Sequence, residues 1–177
     1  MQEKGIKYRH AWNIIKAGGK YYHLDATFDN SLGREGLIRY DYFCLGDKQL
    51  FRDHEPLIWT APECTEASAG YYRDNKLSFT KVEEAYKRAL QAAKKGKPLV
   101  FHWRGGYLIR DVLTELVSEI RKAASEKGRT VSIYVNWPQS VIQASFTAEA
   151  DTDKTNSEEK VEMQEANEGE LYEEQGE

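Results

Sequence analysis

Two runs of alternating apolar and polar residues lie on either side of the sequence Ala-Gly-Gly-Lys at residues 17–20. A Gly-Gly pair between β-rich runs is typical of a tight hairpin turn, because glycine adopts positive φ without steric cost. A two-residue loop pairs Lys16 with Tyr21, and side chains alternate between the two faces along each strand. His10 and Asp25 are then diagonal neighbours on one face, about 7 Å apart, and we expect them to form a hydrogen bond.

Downstream of the hairpin the pattern is less regular. Residues 28–36 are rich in turn formers and predict a loop, whereas the alternation over residues 37–45 predicts a third strand. A helix start is expected at the beginning of residues 46–54, followed by a short helical turn. Prolines and small residues over 55–70 predict another loop.

From residue 71 onward, strand-like and helix-like patterns alternate. Apolar residues recur at helical spacing in two segments, and the capping-box spacing of Thr80 and Glu83 marks the start of the first helix. We predict strands at residues 71–79, 99–103 and 130–137, and helices at residues 80–95 and 107–126. Strands joined by helices favour parallel pairing through right-handed crossovers.

The predicted fold class is α+β, with an antiparallel hairpin sheet over residues 1–55 and a small β-α-β-α-β module over residues 56–147. The last segment, residues 148–177, has few apolar side chains. From residue 149 it carries twelve acidic residues and two lysines, a net charge of −10, while the whole chain carries only −4. The remainder is therefore mildly basic, and we expect the acidic tail to be disordered.

Composition narrows the compartment and the functional class. Two cysteines provide no disulfide framework. The chain has no apolar run of about 18 residues and no signal-peptide core near Met1. We therefore expect no membrane segment and a cytoplasmic location for the chain as written, although a missing upstream segment would allow secretion.

An imidazole beside a carboxylate forms the base and the orienting group of a catalytic triad. The carboxylate accepts the Nδ1 proton, fixes the tautomer and stabilises the imidazolium. Such pairs also occur as half-buried structural contacts, so spacing alone leaves a structural role for His10 and Asp25 open.

The local sequence adds to this interpretation. His-Ala-Trp-Asn-Ile-Ile at residues 10–15, Gly-Lys-Tyr-Tyr-His-Leu-Asp-Ala-Thr-Phe-Asp at residues 19–29 and Tyr-Asp-Tyr-Phe at residues 40–43 resemble the transglutaminase-like superfamily, and above all its bacterial branch. The resemblance covers residues 8–54. It implies a papain-like core in which a Cys, a His and an Asp act in that order along the chain.

By that resemblance, His10 is the catalytic base, Asp25 is the aspartate that orients it, and Trp12 and Asn13 line or support the substrate site. The family performs thiol-dependent acyl transfer or hydrolysis on protein amide groups, and it includes inactive forms. We expect a protein or peptide substrate, no metal and no other cofactor, and neither nucleic acid nor a membrane as partner. The sequence does not indicate an oligomeric state.

The family nucleophile lies on a helix upstream of the histidine, in a segment such as Gly-x-Cys-x-Gly. Nine residues precede His10 and none is cysteine, while Cys44 and Cys64 both follow Asp25. We expect Cys44 to be a core thiol and Cys64 to lie in a more exposed loop, with no base nearby in the sequence. The chain thus resembles the C-terminal part of a family member and should be inactive alone. The alternative is a non-catalytic protein-interaction module that keeps the fold.

Two other constellations are alternatives. His10, His23, Asp25 and His54 together carry the donor atoms of a zinc-type site. Residues 101–110 mix aromatic and basic side chains with two glycines, as single-stranded nucleic-acid sites do. For the zinc-type site, only the residues of the hairpin have geometric support. The segment 101–110 lacks an RNA-recognition consensus. We expect structural roles for both.

Overall fold

The computed structural model describes residues 10–34, 37–57, 61–65 and 70–148. The chain divides into two compact units, Met1–Ser78 and Phe79–Glu177, called unit 1 and unit 2 below. The sequence suggested a division after residue 55, whereas the structure groups the described part of 56–78 with the first unit. The acidic tail predicted to be disordered lies, from residue 149, outside the described residues.

Among its described residues, unit 1 contains a three-stranded antiparallel sheet and three short helices. The elements are β1 (Asn13–Ala17), β2 (Lys20–Leu24), α1 (Ala26–Leu32), β3 (Phe43–Leu45), α2 (Asp47–Leu50) and α3 (Tyr71–Asp74). The strand order is β1-β2-β3, with both pairs antiparallel. The predicted α+β class is therefore confirmed for this unit.

The predicted hairpin between β1 and β2 is confirmed. Gly18 and Gly19 form its loop with φ angles of 56° and 79°. Two successive positive φ angles are what a type I′ turn requires, and glycine supplies them without strain. Ala17 pairs with Lys20 and Lys16 with Tyr21, which is the register expected for a two-residue loop.

The loop predicted at residues 28–36 is wrong, because most of α1 lies there. Asp25 is the N-cap of this helix, and its Oδ1 accepts a hydrogen bond from the Phe28 amide at 2.9 Å. An aspartate in this position satisfies one of the unpaired amides at a helix start. The sequence analysis missed this N-cap because the residues that follow Asp25 include turn formers, which favour a loop over a helix.

The predicted third strand, residues 37–45, is reduced to Phe43–Leu45. The residues before it form an inward-facing polar group instead. Arg39 and Asp41 make a buried bidentate ion pair, with Nε to Oδ1 at 3.0 Å and Nη2 to Oδ2 at 2.6 Å. The Tyr72 hydroxyl donates a hydrogen bond of 2.7 Å to Asp41 Oδ1. In an alternating apolar and polar pattern, charged residues are expected to face solvent, whereas Arg39 and Asp41 point into the protein.

The apolar core of unit 1 lies beside the His10–Asp25 pair. Its buried members are Tyr42, Leu45 and Leu50, with Trp12, Phe28 and Leu32 packed against them. Trp12 comes from the chain before β1, and Phe28 lies in the first turn of α1. The core therefore holds in place the two segments that carry His10 and Asp25.

Unit 2 combines two long helices with a mixed four-stranded sheet. The elements are β4 (Ser78–Phe79), α4 (Val82–Lys95), β5 (Leu99–Trp103), α5 (Arg110–Ser125), β6 (Arg129–Asn136) and β7 (Val141–Ala148). The strand order is β4-β5-β7-β6. The α4 and α5 helices pack against each other. No helix in the described ranges has the length and apolar character needed to cross a membrane.

Two of the strand predictions made for the chain from residue 71 onward are wrong. Residues 71–74 form α3 rather than the start of a strand, and β7 occupies residues that the pattern assigned to no strand. A four-residue turn after β6 sends β7 back along it, so β7 lies between β5 and β6 and is antiparallel to both. The predicted parallel neighbours β5 and β6 therefore point in the same direction without pairing.

Both predicted helices of unit 2 are present. Glu84, rather than the expected Glu83, closes the start of α4, because its Oε2 accepts hydrogen bonds from the Thr80 and Lys81 amides at 2.9 and 3.1 Å. Alanine is the residue at each buried position of α4, which allows close helix packing. These positions are Ala85, Ala89 and Ala93.

The Gly-Gly sequence after β5 is part of a close-packed turn. A Cβ on Gly105 would lie 2.2 Å from Cζ2 of Trp103 and 2.5 Å from the Thr80 carbonyl oxygen. Tyr107, two residues further on, is 92% exposed. The first glycine is therefore required by packing.

Candidate active site

The side chains of His10 and Asp25 are in hydrogen-bond contact, as the hairpin spacing predicted. His10 Nε2 meets Asp25 Oδ2. The Asp25 side chain is 1% exposed and that of His10 is 26% exposed. The expected nitrogen is wrong, since the carboxylate faces Nε2 rather than Nδ1. Nδ1 is consequently the ring nitrogen that Asp25 leaves available to a reacting group.

Asp25 uses both of its carboxylate oxygens. Oδ1 caps α1 through the Phe28 amide, and Oδ2 receives His10 Nε2 and also His54 Nε2 at 3.1 Å. Burial opposes ionisation, but the hydrogen bonds from Phe28, His10 and His54 outweigh it, so the pKa of Asp25 lies below its ordinary value. A negative charge is therefore held next to His10.

His54 is a site residue for which the sequence analysis considered a metal-ligand role and a structural role, but no role in the catalytic pair. Its Nδ1 lies 2.7 Å from Asp53 Oδ1, and the Tyr42 hydroxyl donates a hydrogen bond of 2.5 Å to Asp53 Oδ2. Burial works against the charged ring, yet the hydrogen bonds and charges of Asp53 and Asp25 raise the pKa of His54. In the sequence, the neighbouring Asp53 and His54 at the end of residues 8–54 could have indicated this second pairing of a histidine with a carboxylate.

Aromatic rings enclose the two histidines. The ring centre of Phe28 lies 4.7 Å from those of His10 and His54. Trp12 and Tyr42 each lie 5.2 Å from the ring centre of His54. Apolar rings lower the local dielectric, which strengthens the hydrogen bonds that the Asp25 carboxylate accepts.

Trp12, predicted to line the substrate site, also fixes a second histidine. Its indole Nε1 donates a hydrogen bond of 3.0 Å to Nδ1 of the fully buried His23. Because an indole N–H can only donate, Nε2 of His23 must carry the ring proton, and it lies 2.7 Å from Asp47 Oδ1. Both ring nitrogens of His23 therefore take part in hydrogen bonds that connect Trp12 with Asp47.

Neither cysteine has the surroundings of a nucleophile. The expectation that Cys64 is the more exposed cysteine is wrong, since it is 1% exposed whereas Cys44 is half-buried. Burial together with the charge of Asp47 raises the pKa of Cys64 to about 11. Burial and the charge of Asp74 raise the pKa of Cys44 as well. A reactive thiol needs the opposite environment, in which positive charge lowers the pKa.

Two groups of side chains bring nitrogen, oxygen or sulfur donors within 4.8 Å of one another. One consists of His10, Asp25 and His54, and the other of His23, Asp47 and Cys64. Trp12 donates a hydrogen bond to Nδ1 of His23, and a carboxylate oxygen lies within hydrogen-bond distance of each ring nitrogen of His54. Both groups are satisfied as hydrogen-bond networks.

An open groove of about 310 Å³ lies beside the exposed edge of His10. Its described lining is His10, Ala11, Trp12, Ile14, Pro56, Leu57 and Ala61. Leu57 is 69% exposed. Asn13, the other predicted substrate-binding residue, begins β1 opposite Leu24 and is not among the described residues of the lining. One side of His10 therefore faces an open groove.

A second pocket, of about 600 Å³, is lined by residues that include Leu24, Asp29, Arg39 and Phe43. Asp29 is buried there, and its Oδ1 accepts a hydrogen bond of 2.9 Å from the Tyr42 amide. Burial raises the pKa of Asp29 to about 7, although that hydrogen bond opposes the change. This carboxyl therefore gains a negative charge near neutral pH inside unit 1.

The free energy of unfolding of unit 1 should fall as the pH rises from about 4 to 7. The pKa of Asp29 is about 7 in the folded chain against an ordinary 3.8, so the folded state holds the proton over that interval. The stabilisation is complete below 3.8 and is lost as the pH rises through 7. Urea unfolding at several pH values measures the slope. Asp29→Asn should flatten it, whereas Asp74→Asn, an exposed control, should leave it unchanged.

Comparison of the chain with protein-family models, with curated proteins and with solved structures gives no match.

Proposed function

We propose that unit 1 provides the histidine and the carboxylate of a thiol-dependent acyl-transfer site of the transglutaminase-like type. The contact between His10 Nε2 and Asp25 Oδ2 beside an open groove is the observation that carries the proposal. The sequence resemblance over residues 8–54 supports the same assignment. The truncated papain-like core expected from that resemblance is part of this proposal.

The reaction needs a cysteine thiol next to His10. The thiol proton passes to Nδ1, and the thiolate attacks the carbonyl carbon of a protein carboxamide. The C–N bond then breaks, the imidazolium returns the proton to the leaving ammonia, and a thioester remains. A lysine amine or water attacks this thioester, the C–S bond breaks, and the thiol is restored. Asp25 stabilises the imidazolium through both steps.

The thiol must come from a cysteine other than Cys44 and Cys64, the two in this sequence, because both lie in surroundings that raise their pKa values. A cysteine introduced into the groove tests whether His10 can activate one. We expect Ala61→Cys or Leu57→Cys to react with iodoacetamide at neutral pH about tenfold faster than an ordinary thiol, since imidazolium pairing raises the thiolate fraction. Peptide mass spectrometry separates this labelling from that of the native cysteines.

His10→Ala in the same background should return the groove cysteine to the ordinary rate. Lys16→Cys, on the exposed part of β1, serves as the control and should react equally fast with or without His10. If neither groove cysteine depends on His10, the imidazole does not serve the groove and the proposal fails.

The second candidate is a non-catalytic module that binds an extended peptide in the same groove. The exposure of Leu57 and the raised pKa values of both native thiols favour it. The cysteine experiment separates the two candidates, because a binding module has no reason to activate a thiol through His10.

A further inference from the structure

The imidazole of His54 lies between two carboxylates. Its Nδ1 is 2.7 Å from Asp53 Oδ1 and its Nε2 is 3.1 Å from Asp25 Oδ2, and its side chain is 3% exposed. We propose that His54 is a positioning residue, held as a buried imidazolium between Asp53 and Asp25, which orients the ionised Asp25 carboxylate toward His10. This role rests on the proposed function of His10.

Hydrogen-bond chemistry requires the charge. An ionised carboxylate only accepts hydrogen bonds, so a ring with a carboxylate oxygen at each nitrogen must carry a proton on both. The Tyr42 hydroxyl donates to the other oxygen of Asp53, which leaves Oδ1 of that carboxylate to accept from His54. Among the described residues, His10 and Tyr42 are further ionisable groups that face the ring, with ring centres 5.8 and 5.2 Å from that of His54. The two carboxylates are the groups that lie within hydrogen-bond distance of its nitrogens.

The positive charge has a specific consequence for Asp25. A carboxylate that is almost fully buried is costly unless it is paired and hydrogen-bonded. One oxygen is already used by the cap of α1, so the free oxygen would otherwise depend on the partly exposed His10 alone. His54 supplies a second, buried donor to that oxygen. The carboxylate therefore stays ionised and correctly turned even while His10 moves or changes its proton.

The charge state of His54 can be read directly from the intact chain. The sequence contains four histidines, so ¹⁵N-labelled rings can be assigned with single His→Gln variants. We expect both nitrogens of His54 to remain protonated at pH 7, with a titration midpoint above the ordinary value. A His54 ring with one unprotonated nitrogen at pH 6 would overturn the proposal.

Asp53→Asn provides a matched change, because the amide oxygen can still accept from Nδ1 while the charge is removed. The titration midpoint of His54 should then fall by about one pH unit, the usual effect of an adjacent opposite charge. An unchanged midpoint would mean that Asp53 does not hold the proton, and the proposal would be rejected.

His54→Gln tests the effect on Asp25, because glutamine keeps a donor but carries no charge. The midpoint of the Asp25 carboxyl carbon should rise by about one pH unit, which a merely space-filling role would not cause. An unchanged midpoint contradicts the proposed role. Addition of Zn²⁺ to the wild-type chain should leave the His54 ring signals in place, and loss of its N–H signals with zinc bound would overturn the assignment.

None of these measurements uses a thiol or an acyl substrate. Failure of the groove cysteines to respond to His10 would reject the proposed reaction and leave the imidazolium observable. A neutral His54 would reject this inference even if the groove cysteines were activated.

Discussion

Arg39→Met should lower the free energy of unfolding of unit 1 by about 3–5 kcal/mol, the usual cost of removing one partner from a buried ion pair. Arg39 and Asp41 are both only 3% exposed and are joined by two hydrogen bonds. Methionine fills much of the same space, so the loss measures the charge left on Asp41 rather than a cavity. Urea unfolding followed through amide signals of unit 1 provides the measurement.

Lys122→Met, in α5 of unit 2, is the matched control for this substitution and is measured through the amide signals of unit 2. Lys122 pairs with Glu119 at 3.7 Å, but its side chain is 59% exposed. Exposed pairs of this kind contribute about 0–1 kcal/mol, because water screens both charges. Equal effects of the two variants would show that the Arg39–Asp41 pair is not buried in solution.

The chain alone should not incorporate a fluorescent primary amine into a glutamine-rich protein. Loss of the nucleophile from such a catalytic unit typically lowers the rate on the order of a million-fold, and neither native thiol is placed to replace it. The pKa of Cys64 is raised to about 11 by its burial and by Asp47, so little thiolate exists at neutral pH. Iodoacetamide should accordingly label both native cysteines slowly.

The contrary outcome is equally specific. Rapid labelling of Cys44 or Cys64 that disappears in His10→Ala would show that a native thiol pairs with the imidazole. The nucleophile would then follow the histidine and the aspartate along the chain, in an order that the family resemblance does not predict. If the native cysteines were labelled rapidly only because the fold is loose, labelling would stay rapid in His10→Ala.

Asp25 links the fold of unit 1 to its chemistry. One oxygen of its carboxylate starts α1, and the other receives His10 and His54. Substitution at this position would therefore disturb a helix cap and a catalytic contact together. His10 is the better position for testing the reaction, because its partly exposed ring is not a helix cap.

Local sequence signals identified most of the regular elements. Gly18 and Gly19 determined the hairpin and its register, because successive positive φ angles are available to glycine at little cost. Helical spacing of apolar residues located α4 and α5, and short apolar runs located β5 and β6. In each case the signal lies within a few residues of the element that it predicts, so no distant contact was needed.

Tertiary contacts decided the remaining elements. Arg39 and Asp41 alternate like a strand, yet they turn inward because each neutralises the other and Tyr72 completes the group. Residues 71–74 contain β-favouring tyrosines, but Tyr72 is placed by its bond to Asp41 and lies in α3. The order β5-β7-β6 likewise depends on which strands meet in space.

The sequence by itself determined the hairpin, the two long helices and the approach of His10 to Asp25, since a turn register relates residues 15 positions apart. Only the tertiary structure revealed which nitrogen of His10 meets the carboxylate and that His54 bridges Asp25 and Asp53. His54 is 29 positions from Asp25, and no local periodicity relates them. Their contact depends on the packing of α1 and α2 around a shared core, where burial makes each polar group require a partner.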